Sequence, residues 1–127
     1  MRDLRQQLDG WAKRVEKHEQ GEALVAAIKG LREQVLAIEE PLLVPDLRSG
    51  WADNLNKGVR LLQKLAELPA VVEMGDYRPT DVSYQVYEHL GSQIEAQLKR
   101  FDELVARELA PLNARIAAAG VGAVLVK

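Results

Sequence analysis

Few side chains in this sequence have the type and spacing that chemistry requires. The histidines are His18, in "EKHEQ", and His89. A carboxylate-bridged metal site in a helical protein wants Glu-x-x-His on two helices. The residues three before His18 and His89 are Val15 and Val86, so both motifs are missing and no metal or other cofactor is expected. Ser49, Ser83 and Ser92 lie outside any Gly-x-Ser-x-Gly elbow. Glu39 and Glu40 are adjacent, so on a helix they point about 100° apart and cannot flank one substrate bond. Both are expected on a solvated charged face. The "GVGA" at residues 120–123 lacks the lysine and following helix of a phosphate loop. With no cysteine in the chain, disulfides, thiolate metal sites and thiol nucleophiles are excluded. No catalytic activity is expected of this chain.

The aromatics are a different case. Trp51, Tyr77, Tyr84 and Tyr87 fall near loops or the start of a long helical segment, and Tyr84 and Tyr87 share a helix face. Exposed, these rings would stack on a sugar or anchor a protein partner. The alternative is that Trp51 plugs the end of a core while the tyrosines pack at helix margins, apolar body inward and polar tip outward.

Amphipathic helices must position all of these residues. Leu4, Leu8, Trp11 and Val15 recur at helical spacing, and so do Leu24, Ile28, Leu31, Val35 and Ile38. Gly21 separates the two runs and Pro41 stops the second. Leu55, Val59, Leu62, Leu65 and Leu68 form a third stripe, widened by Leu61 and Ala66, with Asp53 or Asn54 as its cap. Pro69 marks a kink or a fresh first turn. Thr80, after Pro79, is placed to cap the longest helix, whose stripe is Val82, Val86, Leu90, Ile94, Leu98, Phe101, Val105 and Leu109. Pro111 must interrupt its hydrogen bonding. Leu112 and Ile116 carry the stripe on to Gly120, a C-terminal glycine cap. Gly10, Gly30, Gly58 and Gly91 either allow helices to approach closely or are tolerated on the surface.

These segments predict helices at about 2–18, 22–39, 54–74 and 81–119, joined by a long connection at 40–53. The expected fold is all-α: an antiparallel, up-and-down four-helix bundle in one domain, residues 1–127. The connection "EEPLLVPDLRSGWADNLNKG" is too long for a simple turn. Leu42, Leu43, Val44 and Trp51 are expected to cover one end of the core or to offer a contact surface. The tail "VGAVLVK" has no polar side chain before Lys127, so Val124 and Leu125 should dock on the bundle, on a second copy or on another domain.

Composition agrees with an ordinary globular chain: 47% hydrophobic, 28% charged, net charge -2. The two signs are interspersed, so nothing resembles a basic stripe for nucleic acid. No run approaches the ~20 apolar residues of a membrane span, and "MRDLRQQLDGW" lacks the apolar region of a signal peptide. A helix opening directly at Met1 fits either a small complete protein or a piece cut at a domain boundary.

The order of features resembles the C-terminal helical region of bacterial Asp-box (BNR) repeat, sortilin-like β-propeller proteins labelled glycosyl hydrolases. The matching elements are Gly50 and Asp53 in the link, the leucine-rich run from Leu61 to Leu68, and the turn Arg78-Pro79-Thr80. They continue with Leu112-Asn113-Ala114 and Ala118-Ala119-Gly120. The resemblance covers most of the chain, best from residue 50 onward. In one departure, "NLNKG" stands where the family has an Asn-Tyr-Pro-like segment. The family's hydrolase chemistry would belong to the propeller, which this sequence lacks, so no catalytic residue carries over. The resemblance implies a non-catalytic accessory module whose partner is a β-propeller domain or a second copy. It also implies an extracytoplasmic location if the parent protein is secreted. The competing readings are a carbohydrate-binding module using Trp51, Tyr77, Tyr84 and Tyr87, and a free-standing helical adaptor.

Overall fold

The computed structural model describes residues 1–45, 58–75 and 77–121, and every regular element among them is helical. The elements are α1 (Arg2–Val15), α2 (Gly21–Glu39), α3 (Leu61–Val72) and α4 (Asp81–Leu104). A π-helical turn (Val105–Leu109) then leads into α5 (Ala110–Ala118). The chain divides into two compact units: Met1–Ala37 with Phe101–Lys127, and Ile38–Arg100.

In the first unit α1 and α2 form an antiparallel pair. Asp3 in the first turn of α1, and Lys13 and Arg14 in its last, complement the helix dipole. The reversal is tight: the His18 N–H donates to the Val15 carbonyl at 2.9 Å and the Gly21 N–H to the His18 carbonyl at 2.8 Å. Gly21 is buried, and a Cβ there would collide with the Val15 carbonyl oxygen while lying 3.3 Å from that of Glu16. Its φ is outside the left-handed region, so the site demands space and not an unusual torsion. Halfway along the pair, Arg32 Nε lies 2.6 Å from Asp9 Oδ1, a close ion pair whose angle falls short of a hydrogen bond. On its other side α2 faces α5. A cavity of about 270 Å³ is walled by Ala27, Gly30 and Leu31 on one helix and Pro111, Leu112 and Arg115 on the other.

The buried apolar side chains of this unit are Leu8, Val15, Leu24, Ile28, Leu31 and Val35, joined by Leu104, Leu112 and Ile116. The periodicity of α2 places every one of its stripe residues correctly. Arg5 is also buried, and it has an interaction partner.

Pro111 does not break the C-terminal helix. It has no N–H for the Arg107 carbonyl, and its ring presses on that carbonyl in regular α geometry. The π-helical turn just upstream widens the backbone there, so the rod continues to Ala118. Gly120 then adopts φ 69°, the left-handed cap that only glycine takes without cost. The widened turn also shifts the buried register. Leu104 is buried, while Val105 and Leu109, expected inward, are half-exposed.

In the second unit α3 begins later than the 54 expected from the stripe. Gly58, at φ 71°, and Val59 are non-helical, and the residue at the cap position is Arg60, in extended conformation. Asp53 and Asn54 lie outside the described residues. No side chain caps α3. Instead its first N–H groups find backbone acceptors: Leu61 donates to the Pro41 carbonyl at 3.2 Å and Leu62 to the Leu42 carbonyl at 3.0 Å. The turn after α2 therefore meets the start of α3, and the two ends of the intervening connection are fastened together. Pro69 falls in the last turn of α3, which ends at Val72 without a fresh start. At α4, Thr80 is the cap: its Oγ1 accepts from the Ser83 N–H at 3.2 Å.

Candidate interaction surface

In the second unit α3 and α4 form a hairpin with an open apolar side. Leu65, Leu68, Pro69 and Val72 from α3 face Pro79, Tyr84 and Tyr87 across a groove of about 520 Å³. Glu73 and Ser83 are its polar lining residues. The Ser83 hydroxyl sits 3.0 Å from Thr80 Oγ1, and the two hydroxyls share a hydrogen bond. Such a lining has little with which to orient a polar ligand and suits apolar side chains.

No residue of α3 is fully buried. The stripe expected to be core is half-buried at Leu61, Leu65 and Leu68, and Leu62 is exposed. On α4, Val82, Val86 and Leu98, also expected inward, are exposed, whereas Leu90 and Ile94 are buried. The α4 stripe is right where α4 is covered and wrong where it is not. Periodicity identifies an apolar face without saying whether the chain itself covers that face.

The candidate residues separate into distinct groups. Tyr84 (48% exposed) and Tyr87 (58%) come together on the groove wall. Tyr77 (88%) is exposed at the hairpin tip, outside the groove. Leu42 is only 3% exposed and offers no contact surface. Its N–H bonds to the Glu39 carbonyl and its carbonyl receives α3, so it is a joint of the fold. Leu43 is half-buried beside it. Trp51, Val124 and Leu125 lie outside the described residues. Met74 and Val71 are surface residues that the sequence reading missed; the only signal for them is their position past the end of a stripe.

Glu39 corrects the expectation of a solvated face. It is 2% exposed, with an interaction partner, while Glu40 is exposed. A carboxylate so deeply buried needs such a partner to offset lost hydration. Their 100° separation places one carboxylate inside and its neighbour outside. His18 and His89 are both exposed. Among the described residues no three His, Asp or Glu side chains converge as metal ligands, and no helix is long and apolar enough to cross a membrane. Of the glycines weighed for close approach, Gly10, Gly30, Gly58 and Gly91 have nothing within 4 Å of an added Cβ; that role falls to Gly21.

No protein-family model, no curated protein and no solved structure matches this chain.

Proposed function

We propose that this chain is a non-catalytic helical interaction module, the C-terminal accessory domain of a larger β-propeller protein, which it packs against or dimerises. The observation that carries the reading is the groove of the α3–α4 hairpin, an apolar surface left uncovered by the described residues. A contiguous patch of this kind marks a contact site. Further support comes from where the family-like motifs fall. Arg78-Pro79-Thr80 opens α4, Leu112 is a buried anchor of α5, and Gly120 closes it. The resemblance to the Asp-box family's helical region rests on these motifs in this order. An antiparallel, up-and-down bundle of four long helices is the arrangement we propose for the whole.

The natural transcript provides the first test. An Asp-box propeller encoded in the same or an adjacent reading frame, and retained by the purified chain, supports the reading. Glycoside turnover by the pure chain, abolished by changing one of its own residues, overturns it. Tyr84 and Tyr87 in one groove favour carbohydrate binding as a second reading. Its test is a glycan array, with loss of the signal in Tyr84→Ala.

A further inference from the structure

We infer that Met74, in the bend between α3 and α4, is a methionine-sulfoxide site: hydrogen peroxide oxidises its thioether while the fold stays intact. The inference goes beyond the interaction-module reading and does not depend on it. Its first ground is access. Met74 is 87% exposed, and Glu73, Gly75 and Tyr77 around it are exposed as well. A small oxidant reaches its sulfur from solvent, and exposure is what makes a sulfur side chain susceptible. The second ground is competition. Cysteine thiolates would consume peroxide in its place, and this chain has no cysteine. The thioethers are then two, Met1 and Met74. Met1 is half-buried at the start of α1, where its carbonyl accepts the Arg5 N–H at 3.0 Å. Exposure therefore orders the pair, Met74 before Met1.

The step balances with peroxide as the only co-reactant. One peroxide oxygen bonds to the thioether sulfur as the O–O bond breaks. The sulfur loses two electrons, and the other oxygen leaves as water with both protons. The third ground is what the new oxygen would disturb. A methionine packed in a core loses its apolar contacts when its sulfur becomes polar, and an exposed one has few to lose. Helix α3 has already ended at Val72, and its closing hydrogen bond, from the Glu73 N–H to the Pro69 carbonyl at 2.9 Å, belongs to the main chain. The change is thus confined to the surface. A flexible apolar side chain becomes polar and chiral, directly after Val72 and Glu73 of the groove lining.

The test treats the full 127-residue chain with dilute hydrogen peroxide, with free methionine in the same tube as a rate reference. Intact mass counts the oxygen atoms gained, peptide mapping locates them, and circular dichroism follows the helices. The expected result is a first oxygen on Met74, added at a rate within about fivefold of free methionine and faster than any addition to Met1. The singly oxidised chain should melt within about 2 °C of the untreated one, as a surface change does. Met74→Leu should abolish that first addition and leave the slower one at Met1 unchanged. Slower oxidation of Met74 than this range, prior oxidation of Met1, or loss of helix on oxidation of Met74 each overturns the inference. None of these results bears on whether the hairpin docks a partner, so the interaction-module reading is judged separately by its own test.

Discussion

Replacing Gly21 with alanine adds one methyl group at the α1–α2 reversal, in direct collision with the Val15 carbonyl oxygen and 3.3 Å from the Glu16 carbonyl oxygen. Both obstacles are backbone, so no side chain can swing aside. Relief requires the start of α2 to move away from the end of α1, stretching the 2.9 Å and 2.8 Å hydrogen bonds that make the turn. Overpacking of this kind costs about 1–3 kcal/mol, and two weakened backbone hydrogen bonds add about 1 kcal/mol each. Against this, alanine restricts the unfolded chain and returns about 0.4–1 kcal/mol. The expected net is a destabilisation of about 2–4 kcal/mol, a fall in melting temperature on the order of 10 °C for a chain of this size. Gly30→Ala is the matched control. It lies inside α2 with nothing within 4 Å of the added Cβ, at the wall of the α2–α5 cavity. Helix propensity alone should stabilise it by about 0.5–1 kcal/mol. Urea unfolding followed by circular dichroism at a helical wavelength measures both. A Gly21→Ala protein as stable as wild type would refute the close-approach argument, and so would equal losses at the two sites.

Three further outcomes are expected. Ile28 is fully buried, so Ile28→Ala should cost about 2–5 kcal/mol in the same unfolding assay. Thr80→Ala removes the side-chain acceptor of the Ser83 N–H and should cost about 1 kcal/mol, with hydrogen exchange accelerated in the first turn of α4. The Asp9–Arg32 pair is partly exposed, at 48% and 32%. Asp9→Asn should therefore cost under about 1 kcal/mol, an effect that shrinks further in high salt.

The all-helical class was legible because the apolar spacing is clean in α2 and strong in α1, and helix boundaries are chemically explicit at Pro41, Thr80 and Gly120. What stayed hidden depended on tertiary relationships that spacing does not encode. The late start of α3 follows from carbonyl acceptors at Pro41 and Leu42, far away in sequence. The registry of Leu104 depends on how the helix accommodates Pro111. Gly21 looked like punctuation, and its importance lies in a contact with the Val15 carbonyl. The groove was visible only as two apolar stripes, both read as core. Tyr84 and Tyr87 were singled out correctly as neighbours on one face, whereas the leucines that complete their surface were assigned to the interior.

The fastening of α3 to the turn after α2 also bears on which substitutions the start of α3 tolerates. Because the Leu61 and Leu62 N–H groups bond to the Pro41 and Leu42 carbonyls, donors and acceptors alike belong to the main chain. A change of side chain at Arg60 takes no capping group from α3, whereas Leu62→Pro would delete one of the two donors outright.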